Sequence, residues 1–245
     1  MFKAQIKAET LKGLVNVIST LIDEVKFTVD PEGMSLKAVD PAHVAMIELR
    51  MDAGAFESYE ADNVEIGLDL DKVKEVLKLS GAGEIIAMEL DEERGRLVFK
   101  VGNITRRMNL VDISSMSDPK VPQLELAANI EVPVSELQRG IKASEKISDH
   151  ITLIADTDYF ELLCEGDTDS ADLRLEKDSL VSINVESQVS SMFPLDYFSN
   201  LIKAMPSDIV VKIELDNDYP AKFNFNVAGD KGRVMYLLAP RIENE

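Results

Sequence analysis

Residues 10–23 read Thr-Leu-Lys-Gly-Leu-Val-Asn-Val-Ile-Ser-Thr-Leu-Ile-Asp. Leu11, Leu14, Val15, Ile18, Leu21 and Ile22 recur at three- and four-residue intervals, the spacing of a helix with one apolar stripe. Lys12, Asn16, Ser19 and Asp23 fall on the other side, and Thr10 stands where an N-cap is expected. Upstream, Phe2-Lys3-Ala4-Gln5-Ile6-Lys7-Ala8 alternates like a half-buried strand. Downstream, residues 26–29, 34–39 and 44–51 read as strands, with Asp30-Pro31-Glu32-Gly33 as a turn and Asp40-Pro41 as a break. A second helix is expected over 71–79, with Leu70, Val73, Val76 and Leu77 inward, Lys74 and Lys78 outward, and Gly81-Ala82-Gly83 ending it. Strands follow at 85–90, 96–101 and 104–111, the first two joined by the polar turn 91–95 as a hairpin.

The pattern then breaks. Ser114, Ser115, Ser117, Asp118, Pro119 and Pro122 give residues 112–127 the composition of an extended linker between a first domain, 1–111, and a second, 128–245. Beyond the linker the first half is echoed. An offset of 126 carries Leu11 to Leu137, Val15 to Ile141 and Phe27 to Leu153. An offset of 125 carries Leu70 to Leu195, Asp71 to Asp196 and Lys78 to Lys203, and one of 127 carries Arg106 to Arg233. The order strand, helix, three strands, helix, three or more strands occurs twice, so the chain reads as an internal duplication. Each half holds two amphipathic helices and about eight or nine mostly antiparallel strands, which is the α+β class.

Forty-five acids against 26 Lys and Arg leave a net charge of -19, which at first sight argues against a nucleic-acid partner. Apolar residues make up 45%, enough for a core and against disorder. The single cysteine, Cys164, excludes an internal disulfide and suggests a reducing setting. No apolar run is long enough to span a membrane, and residues 1–9 lack the apolar centre of a signal sequence. Cys164 and two histidines, His43 and His150, cannot build a Cys/His zinc cluster, and Cys164 within Glu161-Leu162-Leu163-Cys164 reads as a small core residue. No phosphate loop occurs. Asp167-Thr168-Asp169 and Asp216-Asn217-Asp218 depart from calcium-loop spacing and read as solvated turns. No pair of carboxylates stands out for glycoside chemistry, so no enzyme, cofactor or metal is expected.

The basic residues tell more. Lys12, Lys74, Lys78, Arg139, Lys142, Lys146 and Lys203 fall on the four expected helices, away from their apolar stripes, and Arg139, Lys142 and Lys146 share one face at i, i+3 and i+7. Ser199, Asn200 and Lys203 likewise oppose Leu195, Phe198, Leu201 and Ile202. Acids gather in strands, turns and the tail Glu243 to Glu245, although Asp23, Glu75, Glu136 and Glu145 lie on the helices as well.

With these features the chain resembles the proliferating cell nuclear antigen (PCNA) family of sliding clamps, in an archaeal form. Leu36-Lys37-Ala38-Val39-Asp40-Pro41-Ala42-His43-Val44 is similar to the family's strand-turn-strand ending in Asp-x-x-His-Val. Tyr236-Leu237-Leu238-Ala239-Pro240-Arg241-Ile242-Glu243 is similar to its C-terminal signature, and Met1-Phe2-Lys3-Ala4 fits its start. The resemblance implies a non-enzymatic clamp: a ring of three identical chains, with helices lining a hole that holds duplex DNA. It implies that Lys12, Lys74, Lys78, Arg139, Lys142, Lys146 and Lys203 face the DNA, with Ser19 and Asn109 replacing common basic residues. It implies a peptide pocket formed by Val39, His43, Val44, Val121, Pro122, Pro220, Leu237, Leu238, Ala239 and Pro240, with Leu237 in place of an aromatic. It implies subunits joined through strands 104–110 and 171–178, bringing Arg106, Arg107 and Met108 against Asp172, Leu173, Leu175, Glu176 and Asp178.

The implied partners are double-stranded DNA, further copies of the chain, a clamp loader, DNA polymerase, flap endonuclease and DNA ligase. The implied setting is the cytoplasm, at the nucleoid. The alternative within the same fold is a subunit of a mixed or checkpoint ring. An unrelated acidic α+β enzyme is the remaining class, and no catalytic constellation supports it.

Overall fold

The computed structural model describes residues 1–242, and the acidic tail Glu243 to Glu245 lies outside the described residues. Strands β1 (Phe2–Lys7), β2 (Glu24–Asp30), β3 (Gly33–Val39), β4 (Ala45–Asp52), β5 (Ser58–Ala61), β6 (Val64–Asp69), β7 (Ile85–Asp91), β8 (Arg96–Val101) and β9 (Ile104–Asn109) accompany helices α1 (Ala8–Ile18) and α2 (Leu70–Leu77). After residues 110–127, which form neither helix nor strand, come β10 (Ala128–Pro133), β11 (His150–Ala155), β12 (Tyr159–Glu165), β13 (Ser170–Glu176), β14 (Ser182–Asn184), β15 (Val189–Pro194), β16 (Val210–Leu215), β17 (Ala221–Val227) and β18 (Gly232–Leu238), with helices α3 (Val134–Ser144) and α4 (Leu195–Ala204).

The duplication is complete at the level of topology. The runs β5-β1-β7-β8-β9 and β4-β3-β2-β6 in the first repeat have the counterparts β14-β10-β16-β17-β18 and β13-β12-β11-β15 in the second. Five strands, not three, separate the helices of each repeat. Val64, Ile66 and Leu68 of β6 alternate as a strand should, but the short β5 and β14 carry little apolar signal of their own.

The chain divides into two compact units that exchange segments. Unit 1 is Met1–Pro41, Ile47–Val121 and Asn226–Val234, and unit 2 is Ala42–Met46, Pro122–Phe225 and Met235–Glu245. In unit 1, Leu11, Leu14 and Val15 of α1 and Leu70 and Val73 of α2 gather with Phe27, Val29, Ile66, Met88 and Phe99 from the strands. In unit 2, Leu137, Ile141, Phe198, Leu201 and Ile202 of the helices are fully buried, as are Phe160, Phe193 and Phe223. Phe223 packs against Phe198 at 5.8 Å and edge-on to Tyr236 at 6.4 Å between ring centroids. Cys164 is buried in β12, where its Sγ–H is directed at the His150 carbonyl at 3.3 Å and burial pushes its thiol pKa up, as a core residue should.

The first two helices differ from the sequence reading at both ends. The first helix starts at Ala8 after Lys7, so Thr10 lies inside it and caps nothing, and the helix ends at Ile18, before Leu21 and Ile22. The second starts one residue early because Asp69 accepts a hydrogen bond from the Lys72 backbone N–H and so caps it. It ends at Leu77, ahead of Gly81.

The linker is stitched down at both ends. Val111 N–H donates to Gly67 O at 3.0 Å, and Asp118 Oδ1 accepts from the Lys26 ammonium at 3.0 Å within unit 1. In unit 2, Ala127 N–H donates to Asp216 Oδ2 at 3.3 Å. Asp216 and Asn217, expected as idle turn residues, therefore anchor neighbouring chain; Asn217 Oδ1 also accepts from Ser190 N–H.

Candidate nucleic-acid interface and partner groove

Helix packing turns the apolar stripes inward and leaves the basic side chains outside. Lys12, Lys78, Arg139, Lys142, Lys146 and Lys203 are exposed, and Lys74 is half-buried. Three features depart from expectation. Lys146 lies two residues beyond α3 with a left-handed φ of 72°, so it does not continue the face shared by Arg139 and Lys142. Ser199 is buried rather than part of an open polar face. Four of the seven cations also meet acids: Lys74 with Asp71 at 2.9 Å, Lys78 with Glu75 at 2.6 Å, Arg139 with Glu136 at 2.8 Å, and Lys203 with Glu145. Hydrogen bonds from Lys78 and Lys203 hold Glu75 and Glu145 below the ordinary carboxylate pKa.

A groove of about 950 Å³ opens in unit 2. It brings together His43, Val44, Ala239 and Pro240, four of the ten residues expected at a peptide pocket. The residues 42–46 segment is placed by Ala239 N–H, which donates to Val44 O at 2.8 Å, and His43 adopts a left-handed φ of 58°. Arg241 N–H donates to Met192 O at 2.7 Å, and the Arg241 guanidinium meets the His150 ring on the groove wall. Pro122 and Pro220 belong to unit 2 without lining this groove, and Val39 and Val121 belong to unit 1. Leu237 and Leu238 are core side chains of β18, only 6% and 0% exposed, and do not line this groove. Sequence reading missed Ile147, Pro194 and Leu195, which also line the groove; they are ordinary core-like letters, and only folding brings them to His43.

The expected subunit edges are open. β9 has β8 as its strand neighbour and β13 has β12, and among the described residues each lacks a second neighbour. Arg106 and Arg107 are exposed on β9, and Asp172 and Glu176 on β13. Glu176 already holds Arg174 at 3.0 Å, and the Arg174 guanidinium stacks on Tyr159 at 3.5 Å. Met108 and Leu175 are buried in their own units, and Leu173 packs toward Gly140 of α3. Asp178, expected on the strand, falls in the short 3-10 turn after it, because β13 ends at Glu176.

Family models for the N-terminal and C-terminal domains of proliferating cell nuclear antigen match residues 1–118 and 120–241. The chain belongs to the proliferating cell nuclear antigen family. It is 42% identical over the full length of both chains to the DNA polymerase sliding clamp of Methanococcoides burtonii. Among solved structures, A. fulgidus PCNA bound to the C-terminal region of FEN-1 matches all of both chains with a TM-score of 0.93 and 30% identity. A chain of the PCNA2–PCNA3 complex of Sulfolobus tokodaii, 23% identical, shares the fold with a TM-score of 0.87 over 98% of this chain and all of that one. The α+β clamp fold is thus that of a sliding clamp for DNA polymerase, a non-catalytic processivity factor. Among the described residues no helix is long and apolar enough to cross a membrane.

Proposed function

We propose that three copies of this chain close into a ring around duplex DNA and tether replication and repair enzymes to it. The observation that carries this reading is the pair of open edges. β18 of the second repeat runs beside β4 of the first, and backbone hydrogen bonds close the two ends of that pairing, Asp52 N–H to Lys231 O within unit 1 and Ala239 N–H to Val44 O within unit 2. β9 and β13 are the counterparts of β18 and β4. Placing β9 of one copy against β13 of the next repeats that join, with two of the edges the fold leaves open. Such a head-to-tail contact yields a ring when its rotation closes. Arg106 and Arg107 facing Asp172 and Asp178 give the contact a charge match and fix its direction. The Sulfolobus tokodaii complex is an association of two chains of this fold.

The cations on the helices then meet phosphates rather than base edges. Such contacts are weak, salt-sensitive and blind to sequence, as sliding requires. A net charge of -19 is compatible with this, since the ring holds DNA by closure and needs no tight grip. The groove with His43, Val44, Ala239 and Pro240 takes the apolar anchors of short peptides, as the FEN-1 segment bound to the A. fulgidus relative suggests. DNA polymerase, the clamp loader, flap endonuclease and DNA ligase are the partners of this kind, with no cofactor. The place of action is the nucleoid in the cytoplasm.

The test is retention. Rings loaded on closed circular DNA remain bound through gel filtration and are lost once the circle is cut. Equal loss from circular and linear DNA defeats the reading. Light scattering of the pure chain gives a trimer; a monomer at the same concentration favours a mixed ring.

A further inference from the structure

The helix faces hold two kinds of cation. Lys74, Lys78, Arg139 and Lys203 each meet a carboxylate of their own unit, whereas Lys12, Lys142 and Lys146 form no ion pair among the described residues. Fold stability gives little reason for the four acids, since exposed pairs contribute little to it. Asp71 and Glu136 lie in first turns, where the helix dipole favours a negative charge. That reason fails for Glu145, which stands at the C-terminal end of α3, where the dipole disfavours an anion. Its partner comes from a different helix, α4.

We infer that Asp71, Glu75, Glu136 and Glu145 are built-in counterions that mask Lys74, Lys78, Arg139 and Lys203, leaving Lys12, Lys142 and Lys146 as the leading phosphate contacts. This rests on the duplex reading above. A phosphate that approaches Lys142 displaces water and mobile anions, since Glu145, although close enough to feel the charges of Lys142 and Lys146, pairs directly with Lys203 alone. One that approaches Arg139 must displace a carboxylate already at hydrogen-bond distance and is repelled by it as well. When the phosphate leaves, that carboxylate takes the cation back, so neither state is left with a bare charge. The acids thereby smooth the passage from one phosphate to the next. Both the masking and the repulsion are screened by salt, so the masked cations contribute a shallow salt dependence. Each unmasked cation on a phosphate contributes a slope of roughly 0.9 to the fall of log K with log salt.

The full-length protein is titrated with a short duplex between about 50 and 200 mM salt, the range over which phosphate contacts are best separated. The variant D71N/E75Q/E136Q/E145Q is compared with E60Q/E93Q/D167N/E186Q, which neutralises four exposed acids elsewhere. The helix variant is expected to bind about tenfold more tightly at the low-salt end with a steeper slope, and the control to change by less than about threefold with its slope unaltered. Equal shifts in the two variants would reduce the effect to net charge and overturn the inference. So would a K12A/K142A/K146A variant that binds no more weakly than K74A/R139A/K203A. Retention of the wild-type ring on closed circles is scored in parallel: loss there rejects encirclement, whereas retention with equal variant shifts rejects the masking alone.

Discussion

β9 and β18 occupy the same place in the two repeats, last in the runs β5-β1-β7-β8-β9 and β14-β10-β16-β17-β18, yet their surfaces are opposite. β18 has a neighbour on each side, and Val234, Tyr236, Leu237 and Leu238 are buried. β9 has one neighbour, and five of its six residues are exposed, Arg106 and Arg107 among them. Identical topology does not dictate the same chemistry. A covered strand is selected for apolar packing, whereas an open edge carries charges that keep it from pairing with any passing strand and admit a complementary one. The chain ends differ in the same way. After β9 the chain is pinned to Gly67 in unit 1, while after β18 it continues into the groove wall of unit 2.

The strongest way to break this comparison is to cut into the covered strand. Tyr236→Ala removes a fully buried ring packed on Phe223 and is expected to cost about 3–5 kcal/mol in urea unfolding. A loss below about 1 kcal/mol would mean that β18 is not the packed counterpart described above. On the open edge, Arg106→Glu with Arg107→Glu should leave the unfolding midpoint of the chain almost unchanged while weakening association about a hundredfold, read as monomers by native mass. An intact trimer would remove β9 from the interface.

The strand exits give the next test. An added Cβ at Gly67 would stand 2.4 Å from Val111 O and 2.5 Å from the Ile113 side chain. Gly67→Ala is therefore expected to destabilise unit 1 by about 2 kcal/mol and to expose residues 111–118 to hydrogen exchange. Unaltered exchange there would show that the linker does not depend on this close approach. The smallest effect sharpens the hairpin behind β18. Burial of Glu214 opposes its ionisation, but hydrogen bonds from Lys222 and Lys212 outweigh that and hold its pKa below the ordinary 4.5. Because the folded pKa is the lower one, the stabilisation is full above the ordinary carboxylate range and fades as pH falls through and below it. Glu214→Gln should flatten the acid limb of the stability curve by about 1 kcal/mol or less, and an unchanged limb would show that the pair contributes nothing.

Much of this was legible in the letters. The spacing of Leu11, Leu14, Val15 and Ile18 specified a helix and its buried face, and the echo of that spacing at Leu137 and Ile141 exposed the duplication. Those signals are local, because helical and strand periods follow from backbone geometry within a few residues. Other features depended on partners distant in sequence. Thr10 resembles a cap, but the chain enters α1 two residues earlier, directly from β1. Leu237 and Leu238 are as apolar as pocket walls would be, and only the packing of β18 buries them. Lys146 keeps helical spacing from Arg139 and Lys142, yet α3 stops at Ser144 and the backbone turns left-handed.

The sequence by itself determined the class of fold, its repetition and the inward faces of the helices, because each follows from the period of apolar residues. The tertiary structure decided which cations meet a carboxylate, which pocket residues share a groove, and which of two equivalent strands remains an open edge. The pairs Lys74–Asp71, Lys78–Glu75 and Arg139–Glu136 span only three residues each, but Lys203–Glu145, the groove and the open edge depend on distances between residues far apart in the chain, and periodicity does not encode such distances.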